Sequence, residues 1–405
     1  MKFMSISGMF APFFGGGAEF SSYNLAKWLR DQGHEVGVLT TAPTTDDVMN
    51  GELYDGLRMW RIYMPRPYSI HELGKKWQKP IWHFQDHFDP ANRKIAAKAF
   101  DEFKPDFVNI HILQGLGHNV IKEVAKRDIP ALYFQHDLGL VCIKRSMFSK
   151  GKDCTGQCTP CKLSCHHQEK IIRKVPRITI CSPSQANLDK IGKFFPLNKY
   201  HNKVILNANS YPEAKIKRVE SEIPRLLYVG RLDVTKGVDL LIDICKNLSN
   251  NHKFTLTIVG DGSDKGRLQN MADDLDWCKF TGHVNQEKVS NYMANSEVLL
   301  IPSLWAENSP GVVINALTKG LPVIGSNKGG IPELVDNNKN GQLVEAGNKK
   351  EWEQALKNIL DNPKELQNWR DYATKHAERF SQDNLAKNIY KVIEDTIART
   401  SANKK

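Results

Sequence analysis

The sequence reads as an α/β protein of two Rossmann-like, doubly wound parallel-sheet domains facing a central cleft. Three observations predict this. At 405 residues the chain is long enough for two domains that each bury a core. Apolar strand patterns alternate with amphipathic helix patterns along its length, as parallel β–α–β units require. The stretch from Asn207 to Pro224 is polar and holds two prolines, which suits a linker. The expected domains are therefore 1–207 and 208–382, with a last helix from Asp383 through the C-terminal residues, 383–405, closing the chain.

Within the first domain, Lys2 to Ser7 reads as a strand and Ala18 to Asp31 as an amphipathic helix, separated by a loop holding Gly15, Gly16 and Gly17. Glycines at a strand-to-helix turn let backbone N–H groups approach a phosphate or a sugar, so Gly16 and Gly17 are candidate donor-binding residues. Gly33 stops the helix, and EVGVLTT follows as a second strand. Leu57–Tyr63 is a further strand and Ala91–Phe103 a helix. PDFVNIHILQG and IPALYFQHD supply buried strands that end in His111 and in His136 and Asp137. Polar residues at the carboxyl ends of parallel strands lie where open α/β sheets bind ligands. RITICSPSQANLDKIG reads as the last strand and helix, and KVILNANSYPEAK as a strand leading out. The second domain begins with Arg225–Val229. FTLTIVG, CKFTGHV, SEVLLIPS, LPVIGS and GQLVEAG are its other strands, with helical segments between them.

Composition narrows the function. The chain is 40% hydrophobic and 25% charged, the balance of a globular protein, and no apolar run approaches the length that spans a bilayer. Its first residues could imitate a signal peptide, but Ser5, Ser7, Gly8 and Pro12 interrupt them and a helix follows directly. A cytoplasmic protein is expected. A net charge of +11 attracts anions, yet no nucleic-acid motif accompanies it, so no nucleic-acid partner is expected. In GKKWQKPIWHF, lysines 75, 76 and 79 interleave with Trp77, Trp82 and Phe84. That mixture suits peripheral contact with acidic lipid, or equally a loop whose tryptophans pack on the domain.

The most informative stretch is IPSLWAENSPGVVINALTKG, from Ile301 to Gly320. Ser309, Pro310 and Gly311 sit where a helix begins, leaving the N–H groups of Gly311, Val312 and Val313 to meet an anion. Glu307 precedes this positive helix end and Asn315 lies about one turn inside it. In GRLDVTKG, Arg231 and Lys236 can converge on a diphosphate while Gly237 opens the next helix. Gly260, Asp261 and Gly262 form a tight turn after a strand.

These segments resemble the family-four glycosyltransferases, retaining enzymes of the GT-B fold. The resemblance covers nearly the whole chain, most specifically GRLDVTKG and ENSPGVVINALTKGLPVIGSNKGGIPE. It implies that Glu307 touches the donor sugar, that Arg231 and Lys236 hold the diphosphate, and that His136 lines the catalytic cleft. The residue eight beyond Glu307, a glutamate in the family, is Asn315, which can still bond ribose hydroxyls. FTGHV is similar to the segment that meets the base. A nucleotide-sugar donor, with UDP favoured over GDP or ADP, a glycan or lipid-linked acceptor, and catalysis without a metal are further implications. The expected activity is hexosyl transfer in cell-surface polysaccharide assembly, at the inner face of the plasma membrane. The rival is a catalytically weak GT-B protein that binds nucleotide or glycan.

Outside that pattern stands DCTGQCTPCKLSC, within an insertion at 150–168. Its Cys154, Cys158, Cys161 and Cys165 fall in twelve residues. Four close thiols suit structural zinc, then an iron–sulfur cluster, then free or redox-paired thiols, with His166 and His167 as substitute ligands. The first three also match the spacing of radical-SAM enzymes, a reading disfavoured by the mid-chain position and the fourth cysteine. Cys142, Cys181, Cys245 and Cys278 read as core residues.

Overall fold

The computed structural model describes residues 1–66, 70, 71, 75–149 and 151–399. Gly74 of the basic aromatic stretch, Lys150, and the end of the expected last helix lie outside them. The chain forms two compact units, Met1–Ala208 with Leu385–Lys405, and Asn209–Asn384.

The strands of the first unit are β1 (Lys2–Ile6), β2 (Glu35–Ala42), β3 (Met49–Tyr54), β4 (Leu57–Tyr63), β5 (Phe107–Ile110), β6 (Ala131–Phe134), β7 (Phe148–Ser149), β8 (Lys152–Asp153), β9 (Ile178–Ser182) and β10 (His201–Val204). Its helices are α1 (Gly17–Asp31), α2 (Lys79–Phe88), α3 (Ala91–Phe103), α4 (Ile121–Lys126), α5 (Thr159–Ile172) and α6 (Gln185–Gly192). Among the described residues the main sheet runs β10-β9-β6-β5-β1-β2-β4-β3, with β7 and β8 forming a separate hairpin. All neighbours in the main sheet are parallel except β3, which turns back against β4. Short apolar strands buried on both faces, such as β5 and β6, are what a sheet covered by helices on each side demands.

Strands of the second unit are β11 (Arg225–Val229), β12 (Thr255–Val259), β13 (Cys278–Gly282), β14 (Val298–Ile301), β15 (Val323–Ser326) and β16 (Gly341–Val344). They alternate with α7 (Val238–Leu248), α8 (Lys265–Met271), α9 (Gln286–Ala294), α10 (Gly311–Thr318), α11 (Lys349–Asp361) and α12 (Pro363–Lys375). The sheet is parallel throughout, in the order β13-β12-β11-β14-β15-β16. Strand order therefore reverses between β11 and β14, as it does between β1 and β5 in the first unit. At such points the loops after neighbouring strands diverge and leave a crevice for ligands.

The last helix, α13 (Gln382–Ala398), packs Leu385, Ile389 and Ile393 with no more than 2% exposure. Thr396 Oγ1 meets Thr179 Oγ1 of β9 at 2.7 Å. Tyr390 stacks on His34 and lies edge-on to Phe3 of β1. Among the described residues no helix is long and apolar enough to cross a membrane. The basic aromatic stretch is helical, and its two tryptophans separate: Trp82 is buried in the unit while Trp77 is 66% exposed.

Because α13 meets β1 through Tyr390 and β9 through Thr396 and its Ile389 and Ile393 are fully buried, Ile389→Ala or Ile393→Ala should cost about 2–5 kcal/mol. Hydrogen exchange read by mass spectrometry should then show protection falling in β1, β5 and β9 while β11 to β16 stay protected. Uniform loss across both units would contradict this assignment.

Candidate donor site and histidine pocket

In the second unit the loops leaving β11 and β14 touch through their backbones. Leu304 N–H donates to Thr235 O at 2.8 Å. Gly237 has φ of 66°, and a Cβ there would lie 2.4 Å from Pro302 O, so only glycine fits. Gly260 is held as closely, with φ of 143° and a hypothetical Cβ 1.9 Å from Gly230 O. These contacts bring Lys236 to Glu307, which lie far apart in sequence.

Glu307 is the most heavily bonded group of the crevice. Its Oε1 pairs with the Lys236 ammonium and accepts from Ser303 Oγ at 2.8 Å and Trp305 Nε1 at 2.9 Å. The ammonium also sits 5.1 Å from the centre of the Trp305 ring. Burial alone would raise this carboxyl, but the Lys236 charge and these hydrogen bonds outweigh it and hold it below the usual carboxylate range. Glu307 is therefore ionised at neutral pH, with its charge directed by three fixed donors. Arg231 stands in the same loop as Lys236, mostly exposed, its Nε donating to Asp233 Oδ2 at 2.6 Å. Asp233 in turn caps the short turn Val234–Lys236 by accepting from Thr235 N–H at 3.0 Å.

Helix α10 begins after Pro310. Val313 N–H is occupied by Pro310 O at 2.9 Å, so the expectation of three anion-facing N–H groups reduces to Gly311 and Val312. Among the described residues the buried Ser309 Oγ, beside this helix end, has no hydrogen-bond partner, as an anion-binding hydroxyl would have none before its ligand arrives. Asn315 is placed differently from the sequence expectation. It is 1% exposed, and its Nδ2 donates to Gly311 O at 2.8 Å and Asn209 O at 3.3 Å, while Oδ1 accepts from Tyr211 N–H. Its amide fastens the segment 209–211 to α10. A carboxylate cannot donate to those two carbonyls, which is a physical reason for asparagine here.

In the first unit Gly16 caps α1 with extended backbone and Gly17 opens the helix, at the crevice between β1 and β5. His111 follows β5 and His136 follows β6, and the structure joins them: His111 Nδ1 and His136 Nε2 are 2.9 Å apart, with rings stacked beside Phe134. Burial drives both imidazoles towards the neutral form, His136 to about 4, and His111 well below its ordinary value with the His136 ring adding to the effect. They border a cavity of about 50 Å³ that His87, His118, Gln114 and Arg145 also line. Arg145, which pairs with Asp137 and donates to Gln114 Oε1, escaped sequence reading. It adopts φ of 65°, and no local pattern marks a left-handed arginine. His136 and Glu307 belong to different units.

The four cysteines are not gathered around one point. Cys158 and Cys161 Sγ atoms are 3.4 Å apart, whereas Cys165, a helical turn further, approaches Phe194 O at 3.5 Å. Among the described residues no group of three His, Cys, Asp or Glu side chains is arranged to hold a metal ion. The reason is local: Cys158 caps α5, so the helix places Cys161 and Cys165 on successive turns while Cys154 lies just after the β7–β8 hairpin.

Two family models match the chain: Glycosyltransferase Family 4 over residues 15–187 and Glycosyl transferases group 1 over residues 212–376. An uncharacterized glycosyltransferase of Methanocaldococcus jannaschii is 24% identical across 98% of this chain and 100% of its own length. The amylovoran biosynthesis glycosyltransferase AmsK of Erwinia amylovora is 37% identical, over 34% of this chain and 35% of that protein. Among solved structures, sucrose-phosphate synthase from Thermosynechococcus elongatus superposes with a TM-score of 0.77 at 17% identity, covering 98% of this chain and 100% of that one. Anabaena HepE in complex with UDP-glucose gives 0.67 at 17% identity, covering 98% and 100%. These likenesses establish a GT-B fold.

The neutral histidines set a pH dependence. Their folded pKa values lie below the unfolded value of about 6.5, so the unfolded chain binds more protons as pH falls through that value. Stability present above about pH 6.5 is then lost progressively as pH falls towards the folded values, about 4 for His136. Urea midpoints at pH 7 and pH 5 should differ accordingly in the first unit, and His111→Gln should flatten the difference.

Proposed function

Since the chain belongs to the family-four, group 1 glycosyltransferases, we propose that it transfers a sugar, with retention at the anomeric carbon, from a nucleotide-diphosphate sugar to a glycan or lipid-linked acceptor. The observation that carries this reading is the Lys236–Glu307 pair beside the N-terminus of α10, at the strand-order reversal of the second sheet. As the bond to the diphosphate breaks, charge grows on the leaving oxygens. Arg231, Lys236, Ser309 Oγ and the Gly311 and Val312 N–H groups supply positive charge and donors for it. Glu307, kept ionised, accepts from the donor-sugar hydroxyls. The anomeric carbon becomes oxocarbenium-like. The acceptor hydroxyl attacks the face the leaving group departs from, and a diphosphate oxygen takes its proton. Family resemblance alone assigns His136, an imidazole kept neutral by burial, to the donor sugar. UDP is the favoured nucleotide, the one present in the HepE complexes, and polysaccharide assembly the favoured setting, as in the name of AmsK.

A lipid-linked acceptor is supported by the surface of the first unit. Trp77, Ile81, Phe84 and Phe88 recur at helical spacing and are all exposed, Trp77 and Phe84 by 66% each. Lys75 and Lys79 flank them, on a protein of net charge +11. Such a stripe lies in a headgroup layer with its rings inward and its ammonium groups on anionic phosphates. The second reading, binding without turnover, rests on the commitment of the Asn315 amide to its own backbone.

Calorimetric titration with UDP, GDP and ADP tests the donor site. One nucleotide should bind selectively, and Lys236→Ala should weaken it roughly tenfold or more. Glu307→Ala should lower transfer from the matching sugar nucleotide by about 10²-fold or more, and by more than it weakens binding of the bare nucleotide. Binding with neither transfer nor slow hydrolysis would select the second reading.

Sedimentation with lipid vesicles tests the surface. The protein should pellet with anionic vesicles and stay free of zwitterionic ones, and Trp77→Ser with Phe84→Ser should abolish pelleting. Equal recovery of the variant and the parent protein would remove the stripe from this role.

A further inference from the structure

We propose that Cys158 and Cys161 form a redox-modifiable dithiol that a small-molecule disulfide of the glutathione class oxidises to an intramolecular disulfide. The geometry is specific to this pair. Cys158 is the N-cap of α5 and is exposed; Cys161, in the first turn, is 7% exposed. Their sulfurs are 3.4 Å apart, so the bond length of about 2.05 Å is reached by side-chain rotation within one helical turn. Pro160 holds that turn, since proline fits the first helical positions without losing a hydrogen bond. The backbone N–H groups that open a helix favour a thiolate at the N-cap. Among the remaining thiols, Cys165 faces Phe194 O, Cys142, Cys181 and Cys245 are buried, and Cys154 and Cys278 are half-buried, so Cys158 is the exposed one. One accessible attacking sulfur therefore stands next to one sheltered resolving sulfur.

The chemistry balances without a further reagent. The Cys158 thiolate attacks one sulfur of the incoming disulfide, forms a mixed disulfide and expels one thiolate. Cys161 gives its proton to solvent and attacks the Cys158 sulfur, which expels the second thiolate. The pair loses two electrons and the small disulfide gains them, leaving as two thiols. The modification sits on the helix that braces the histidine pocket. Three residues past Cys161, Ser164 Oγ meets His87 Nε2 at 2.8 Å, and Gln168 Nε2 donates to Gly139 O at 3.1 Å.

The test uses the reduced full-length protein, its metal content recorded first, treated with oxidised glutathione and separately with the chromogenic disulfide DTNB. Peptide mapping should find a Cys158–Cys161 disulfide lighter by two hydrogens, and DTNB should release two chromophores in a phase roughly tenfold faster than the other thiols react. In Cys161→Ser one chromophore should be released, with the mixed disulfide persisting on Cys158. In Cys158→Ser the fast phase should vanish. Position 158 is exposed, so this variant keeps the fold and decides the matter even where Cys161→Ser does not. An unchanged fast phase in Cys158→Ser, or a stoichiometric zinc ion that must be chelated before Cys158 reacts, would overturn the proposal.

Discussion

The ion pair between Lys236 and Glu307 ties the loop leaving β11 to the loop leaving β14, and the crevice of the second unit depends on it. A buried carboxylate is tolerated only when its charge is matched and its lone pairs are filled. Here Lys236, Ser303 and Trp305 do both, which requires the two loops carrying them to hold one arrangement. The backbone is pinned as well: Gly330 N–H donates to Glu307 O at 2.7 Å, and a Cβ on Gly329 would come within 2.1 Å of that oxygen. The glycines of NKGGIPE are thus explained by the glutamate they pack against. Preorganised donors of this kind do not have to reorient while charge develops in a reaction.

Much of this architecture was legible because local patterns and global fold agree. Leu57–Tyr63, Ala91–Phe103 and Arg225–Val229 were read to the residue, since apolar periodicity and turn residues coincide at their ends. Strand β3 was missed, although the signal was present: Asp55 and Gly56, both at positive φ, make the two-residue turn that joins antiparallel strands. Its alternation is weak because an edge strand buries little. For the crevice, sequence reading found Glu307, Lys236 and the start of α10, but not Ser303 and Trp305. Those donors stand four and two residues before the glutamate, in a loop whose path no periodicity reveals.

Two other residues show where reading one position at a time fails. His111 and His136 end different strands, and only the parallel neighbourhood of β5 and β6 places their rings together. The partnership rests on topology and had no sequence signal of its own. The sequence places Asn315 about one turn inside the helix that follows Glu307, which is correct as spacing, yet its side chain turns to the backbone of residues 209–211. Spacing fixes which turn a residue occupies; packing decides what its polar atoms meet.

The chain leaves the first unit at Ala208 and returns to it at Leu385, so the second unit is an insertion in the first. A ribosome synthesises all of Asn209–Asn384 before it adds Leu385, Ile389 and Ile393. During synthesis the second unit can close its sheet while the first, though begun earlier, still exposes the apolar face that α13 will cover. The half translated first is the half that matures last, and its final step is the docking of one helix made after the whole of the second unit.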